Sequence, residues 1–189
     1  MTTARNSILS SRSARRSLVR GLTLIELLCA LAVALTALST AFGNLRGLVQ
    51  GQRLQASASE LETIVQLARS SAMLGSQTVR LAVEPTVGGS CVLIHTGVKG
   101  ACGCDPQGQP VCAGAERILH SSKVDAGRGV SITSNPISLA FSGSRGTVTP
   151  TATLKLADGG GRALHQVVNV MGRVRTCSPA GSMSGYPVC

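Results

Sequence analysis

One carboxylate stands inside an apolar run near the start of this 189-residue chain. Glu26 is the single charged residue of the stretch 22–45, which otherwise consists mainly of Leu, Ala, Val and Ile. A carboxylate near the centre of a bilayer costs about 2.5–3.5 kcal/mol on insertion scales, and such residues usually have a functional partner. We therefore expect Glu26 to have a role that compensates for this cost.

Cysteines are the second group of residues with chemistry of their own. Cys29 lies in the apolar stretch, and six others follow it: Cys91, Cys102, Cys104, Cys112, Cys177 and Cys189. If the amino end of the chain is cytoplasmic, these six cysteines face the periplasm, an oxidising compartment in which disulfides persist. An even number of cysteines there favours disulfides. We predict a bond between Cys177 and Cys189, which closes a loop rich in Pro, Gly and Ser. Such a closure is worth on the order of 3 kcal/mol in the chain-entropy model.

The other four cysteines allow more than one arrangement. They pair either as Cys91–Cys102 with Cys104–Cys112 or in the crossed alternative. A zinc site is the rival interpretation, because three of these thiols and a histidine would offer soft ligands. The CxxC spacing typical of zinc sites is absent from the sequence, and the expected compartment is oxidising. We therefore predict disulfides and no metal site.

Two arginines follow a glycine near the carboxyl end. Residues 167–175 read VVNVMGRVR, so the side chains of Arg173 and Arg175 emerge on one face if the chain is extended. Gly172 would give the backbone freedom to turn. A guanidinium pair suits adjacent phosphates, because each guanidinium is a planar fork that is always charged. On the bare sequence we prefer a solvated edge strand, in which charge discourages unwanted pairing.

A membrane-spanning helix that carries Glu26 is predicted at residues 22–45. The 21 residues Leu22–Phe42 contain neither Gly nor Pro, and at 1.5 Å per residue they span about 30 Å, the thickness of the hydrocarbon core. Residues 1–21 contain five arginines and no acid, which favours a cytoplasmic amino end. In residues 46–76 the apolar residues have the spacing of an amphipathic helix that ends near Gly75. Its predicted buried stripe consists of Leu61, Ile64, Val65, Ala68 and Ala72.

Residues 77–189 are predicted to form a β-rich head. The β-favouring runs lie at 78–83, 91–96, 116–119, 129–133 and 137–141. Residues 97–114 are predicted to be a loop that needs disulfides for order. The clearest hairpin joins 151–156 to 163–170 around the glycines at 159–161. A helix followed by antiparallel strands predicts an α+β fold, with the helix packed on the sheet.

The composition limits the function further. The net charge of +10 falls to about +5 without the five arginines of residues 1–21, which is compatible with an anionic partner without requiring one. Phe42, Phe141 and Tyr186 are the only aromatic residues, so gripping nucleobases by stacking is largely excluded. The sequence contains no nucleophile elbow, zinc-protease helix or phosphate-binding glycine loop. We therefore predict no catalytic residue and no cofactor.

The segment Gly21-Leu22-Thr23-Leu24-Ile25-Glu26 resembles the class III signal of type IV pilins and type II secretion pseudopilins, usually written G-F-T-L-I-E. The resemblance implies that prepilin peptidase cleaves after Gly21 and methylates the new amino terminus on Leu22. It also implies that Glu26 attracts the amino terminus of a neighbouring subunit during assembly. Leu22 and the 21-residue leader depart from the usual pattern. An ordinary secretory signal would instead be cleaved after its apolar run.

The carboxyl-terminal motif, on such a stem and with a β-rich head, resembles the GspH/FimT family. FimT-like minor pilins carry G-R-x-R and use it to bind extracellular DNA in natural transformation. Here the motif falls on Gly172, Arg173, Val174 and Arg175. The resemblance implies phosphate-directed binding without sequence specificity. Related minor pilins that help to prime the pilus tip have a similar motif, so the motif alone does not decide between them.

Together these features predict a structural filament subunit, a minor pilin near the tip of a type IV pilus. The alternative is a minor pseudopilin of a type II secretion system that does not bind DNA. The implied partners are prepilin peptidase, other pilins or pseudopilins, the inner membrane and DNA. The implied location is the inner membrane, with a single span and a periplasmic head, and after assembly the pilus tip or pseudopilus.

Overall fold

A computed structural model describes residues 23–189 of the chain, without the side chains of residues 40–44 and 46. The chain divides into two compact units, Met1–Phe42 and Gly43–Cys189. The predicted cleavage and methylation site, Gly21 and Leu22, lies outside the described residues.

A single helix, α1, runs from Leu24 to Gly75. Thr23 begins it, because its hydroxyl accepts a hydrogen bond from the backbone N–H of Glu26 at 3.3 Å, as an N-cap residue does. The helix ends at Gly75, as predicted. The left-handed conformation that follows belongs to Ser76, with a φ of 49°.

In the first unit, the large apolar side chains of α1 are exposed. Half or more of the surface is exposed on Leu24, Ile25, Leu27, Leu28, Leu31, Val33, Leu35 and Leu38. Within the described residues, no helix has a stretch that is long and apolar enough to cross a membrane. The span predicted at 22–45, which is described only in part, therefore stays a prediction.

In the second unit, α1 buries one stripe of side chains. The fully or almost fully buried residues are Leu54, Ala58, Leu61, Ile64, Val65, Ala68 and Ala72. Apart from the adjacent pair Ile64 and Val65, successive members are three or four residues apart, which keeps them on one face of the helix. The stripe predicted from the sequence is confirmed, and it continues toward the amino end by two further residues.

Strands make up most of the rest of the second unit. Their bounds are β1 (Val79–Thr86), β2 (Gly89–Thr96), β3 (Cys102–Cys104), β4 (Pro110–Cys112), β5 (Ile118–Asp125), β6 (Val130–Asn135), β7 (Ser138–Phe141), β8 (Val148–Thr149), β9 (Ala152–Asp158), β10 (Ala163–Val168) and β11 (Val174–Cys177). The first sheet has the order β5-β2-β1-β7-β8, the second has the order β11-β10-β9-β6, and β3 pairs with β4 alone. All the pairings within these sheets are antiparallel.

The core lies between the helix stripe and the two sheets. Alternate residues of β1 and β9, such as Leu81 and Leu154, are fully buried in it, and Phe141 of β7 contributes its ring. This period of two is the one expected for strands with one buried face. The predicted α+β fold, a helix packed on an antiparallel head, is confirmed.

Two predictions about the strands need correction. Of the run predicted at 116–119, only Ile118 and Leu119 belong to a strand, β5, which extends to Asp125 because its polar residues pair with β2. The predicted loop at 97–114 contains the hairpin β3–β4. Cys102 and Cys112 stand directly opposite each other in that hairpin.

Three disulfides cross-link the head. The predicted bond between Cys177 and Cys189 is present. The other bonds are Cys91–Cys104 and Cys102–Cys112, so the crossed arrangement is correct and the sequential one is wrong. The crossed bonds fasten the hairpin β3–β4 to β2 and close it upon itself. Because the sulfurs of Cys102, Cys104 and Cys112 are all bonded, none serves as a thiolate ligand for zinc.

Candidate functional site

The loop Asn169–Arg173 joins β10 to β11, and we call it the arginine loop. The N–H of Asn169 donates to the carbonyl of Arg173 at 3.0 Å, which closes the loop at its base. The Asn169 side-chain oxygen accepts hydrogen bonds from the N–H groups of Met171 and Arg173, at 3.0 and 2.9 Å. One asparagine side chain therefore fixes the backbone on which Arg173 stands. Asn169 was not among the residues predicted from the sequence, although asparagine is frequent in turns because its side chain hydrogen-bonds the backbone two residues on.

Gly172 is required at its position for two reasons. Its φ is 72°, a left-handed conformation that favours glycine. It is also buried, and a Cβ atom there would lie 2.9 Å from Cδ of Arg69 and 3.4 Å from Cγ2 of Val148. The carbonyl of Gly172 accepts a hydrogen bond from Nε2 of Gln66 at 3.5 Å. Two side chains of α1 thus support the arginine loop from beneath, which the sequence pattern did not reveal.

Arg173 and Arg175 are exposed on the outer face of the second sheet. Arg175 pairs with Val167 across the strands, and the bond between Asn169 and Arg173 continues the same antiparallel ladder. Alternation therefore places both side chains on the side away from the core. Val174, between them, packs against the core. The expectation that the two arginines share one face is met by this geometry.

Within the described residues, neither of these two arginines forms an ion pair with a carboxylate. The ion pair in this part of the chain joins Arg162 to Asp158. Since β11 is an edge strand, the arrangement fits both interpretations that the sequence left open. It places two exposed cations beside an open strand edge, and this charge discourages pairing of the edge with another chain.

A second basic position lies on the same outer face. In the strand pairing, Lys155 of β9 stands opposite His165 of β10, which in turn stands opposite Cys177 of β11. The pKa of His165 is lowered, mainly because the ring is partly buried and also because the Lys155 ammonium is nearby. His165 is therefore neutral at neutral pH, and acid would add its charge to this face.

Arg162, another basic residue of this part of the chain, has a structural role. Its guanidinium contacts Asp158 at 2.7 Å, the carbonyl of Gly47 at 2.6 Å and the side-chain oxygen of Gln50 at 3.2 Å. It therefore fastens the β9–β10 turn to α1. Burial alone would raise the pKa of Asp158, but the hydrogen bonds from Arg162 and Gly160 outweigh it and lower the pKa.

Beyond the predicted leader, the net positive charge of the chain lies in its last third. Residues 126–189 contain six basic residues and one acidic residue, Asp158, whereas residues 22–125 contain seven of each. The whole net charge of +5 beyond the predicted leader therefore comes from the segment that contains both arginines of the motif. A count of charge by segment could have revealed this bias from the sequence.

At the other end of the chain, Glu26 is exposed in the third position of α1. Thr23 and Glu26 have the T-x-x-E spacing of a capping box, and the structure shows the half of it in which Thr23 is the acceptor. The assembly role expected for Glu26 needs a second subunit and stays a prediction.

Comparison with known proteins gives a family and a fold. The family model described as type II transport protein GspH matches residues 57–172, so Arg173 and Arg175 follow directly after the matched part. No curated protein sequence matches the chain.

A type IV minor pilin and a minor pseudopilin are among the solved structures that are similar to the chain. The type IV minor pilin FimU of Pseudomonas aeruginosa strain PAO1 is 19% identical with a TM-score of 0.50, and the likeness covers 70% of this chain and 96% of FimU. The minor pseudopilin EpsH of the Vibrio cholerae type 2 secretion system is 15% identical with a TM-score of 0.44, over 66% of this chain and 96% of EpsH. The helix packed against antiparallel sheets and the similarity to FimU show the type IV pilin fold. Because the family model matches more than half of the residues, the chain belongs to the GspH family.

Proposed function

We propose that the protein is a minor pilin, a structural subunit at the tip of a type IV pilus, and that it binds extracellular DNA without sequence specificity for natural transformation. The observation that carries the proposal is the pair Arg173 and Arg175. Both side chains are exposed and have no carboxylate partner in the described residues, and their backbone follows a turn at Gly172. The role is structural, with no catalytic step and no cofactor.

The chemistry of this surface suits the DNA backbone rather than the bases. Phe141 is fully buried and Tyr186 packs against the core, so neither ring is free to act as a stacking platform for nucleobases. Guanidinium groups bind phosphate oxygens through two parallel hydrogen bonds. Phosphate contacts position a protein on DNA but carry no sequence information. Binding is therefore weak for each subunit, sensitive to salt and independent of sequence.

Assembly is proposed to follow the route of a pilin. Prepilin peptidase cleaves after Gly21 and methylates Leu22, and the segment 22–45 holds the subunit in the inner membrane with its head in the periplasm. Glu26 then pairs with the amino terminus of a neighbouring pilin. This pairing would offset the cost of a carboxylate in the bilayer.

The test replaces both arginines of the motif. Arg173→Gln with Arg175→Gln, in the full-length chain in nonionic detergent, should abolish most DNA retardation in a gel. The salt slope of binding should fall by about 1.8, or about 0.9 for each phosphate that the variant no longer neutralises. The matched control is Lys99→Gln with Arg117→Gln, which removes two exposed charges, one between β2 and β3 and the other immediately before β5. Unchanged retardation by the motif variant, with unchanged circular dichroism, would reject the DNA contact.

The alternative is a minor pseudopilin of a type II secretion system without DNA binding. The description of the matching family as a type II transport protein favours it. A deletion strain separates the two functions: loss of DNA uptake with normal protein secretion supports the pilus, and the opposite result supports the secretion system.

A further inference from the structure

A second loop lies next to the arginine loop. The loop Ser142–Thr147 joins β7 to β8, and the N–H of its first residue donates to the carbonyl of its last at 2.9 Å. The residue after it, Val148, donates its N–H to the carbonyl of Val170 in the arginine loop at 2.8 Å. The two loops come from different sheets, and this hydrogen bond connects them.

One side chain of α1 supports both loops. Nε of Arg69 donates to the carbonyl of Gly146 at 3.2 Å, and its Cδ lies so near Gly172 that an added Cβ would be 2.9 Å away. Gly146 and Gly172 therefore both lie against the side chain of Arg69. The residue before Gly146 is Arg145, and the residue after Gly172 is Arg173. Because Arg69 contacts both loops, Arg145 and Arg173 lie in neighbouring backbone segments.

Arg145 has the properties of a free cation on this surface. Its side chain is exposed, and the ion pair recorded in the described residues is that of Arg162 with Asp158. Asp158 is the only acidic residue from 126 to 189, so the loop Ser142–Thr147 contains no carboxylate of its own. A phosphate at this position would meet no negative charge from either loop.

We propose that Arg145 is a third phosphate-binding residue, so that DNA contacts two loops and not the carboxyl-terminal motif alone. This inference rests on the proposed function, because it assigns a further residue to the same surface. A duplex carries one phosphate charge for about every 1.7 Å of its axis, so one duplex offers phosphates to both loops at once. Arg69 is a positioning residue in this arrangement, since its side chain holds the two loops together.

The test is a salt titration of DNA binding by the full-length chain in nonionic detergent, with a short fluorescent duplex as the probe. Arg145→Gln should reduce the slope of log affinity against log salt concentration by about 0.9, the value for one phosphate contact. Arg145→Lys, which keeps the charge, should retain the wild-type slope. Arg117→Gln is the matched control, because this exposed arginine immediately precedes β5, at the edge of the first sheet opposite β8.

The outcomes separate this inference from the proposed function. A wild-type slope for Arg145→Gln, beside a reduced slope for the Arg173→Gln and Arg175→Gln variant, overturns the role of Arg145 and leaves the motif intact. An unchanged slope for the motif variant overturns the proposed function itself. Equal reductions in Arg145→Gln and Arg117→Gln would mean a general effect of net charge and would also overturn the inference.

Discussion

The two halves of α1 have similar apolar side chains and opposite surroundings. In the first half, Leu31 is 52% exposed and Leu35 is 66% exposed. In the second half, Leu54 is fully buried and Leu61 is 1% exposed. The two halves differ in the residues that separate their apolar side chains. In the second half, these are polar residues such as Glu60 and Glu62.

This contrast distinguishes apolar surface that the chain buries by itself from apolar surface that stays exposed to other molecules. The stripe of the second half is covered by the sheets of the same chain. The first half exposes contiguous apolar surface of a kind that marks contact with a membrane or another protein. Substitutions in the two halves should therefore act on different properties, the first half on assembly and the second on folding.

The largest effect is expected from a matched pair of leucine substitutions. Leu61→Ala should lower the free energy of unfolding by about 2–5 kcal/mol, because it removes buried methyl groups and leaves a cavity. Leu31→Ala should change it by less than about 0.5 kcal/mol, as exposed positions usually do. Urea unfolding followed by circular dichroism, on both variants in detergent, measures the difference. Equal decreases at the two positions would contradict the contrast.

The second prediction concerns assembly. Glu26→Ala should lower incorporation into sheared surface fibres about tenfold, which corresponds to about 1.4 kcal/mol of missing charge pairing. Glu62→Ala is the control, because this glutamate is exposed in the second half of the same helix and should leave incorporation normal. Quantitative immunoblots of the fibre and cell fractions provide the measurement. Normal incorporation of Glu26→Ala would remove the support for its proposed role.

The smallest effect is expected from acid, and it should fall on the second unit, which contains all three histidines. The pKa of His165 is lowered by burial and by Lys155, so below its ordinary pKa of 6.5 the folded chain binds fewer protons than the unfolded chain. Stability should therefore decrease as the pH falls through 6.5 toward the lowered pKa.

Melting curves between about pH 7.5 and pH 5.5, the range in which histidine titrates, test this prediction. His165→Gln should flatten the pH dependence, and Lys155→Met should reduce it because one of the two causes is removed. A pH dependence that is the same in His165→Gln as in the wild type would show that another group is responsible.

Much of the fold could be predicted because its signals are local. The helix stripe at Leu61, Val65 and Ala68 and the hairpin around residues 159–161 follow from periodicity and turn glycines. The exposure of Arg173 and Arg175 follows from alternation on a strand. Strand β5 was predicted too short, because its polar run is stabilised by pairing with β2 and not by its own propensity.

The contacts that hold the candidate site are long-range, and the sequence could not reveal them. Arg69 is far from Gly146 and Gly172 along the chain, yet its side chain contacts both. The crossed disulfides could not be predicted for the same reason, because six cysteines allow 15 pairings and their spacing alone does not select one. The register of the sheets and the position of the helix decide these contacts.

The support of both loops by Arg69 has a mechanical consequence. A molecule held by the two loops and pulled would transmit its load through one guanidinium arm and the Gln66 amide directly to α1, in addition to the strands. In a filament whose core is built from such helices, tension would then pass from the loops to the helical core through two side-chain contacts. The head would not have to unfold to carry this tension.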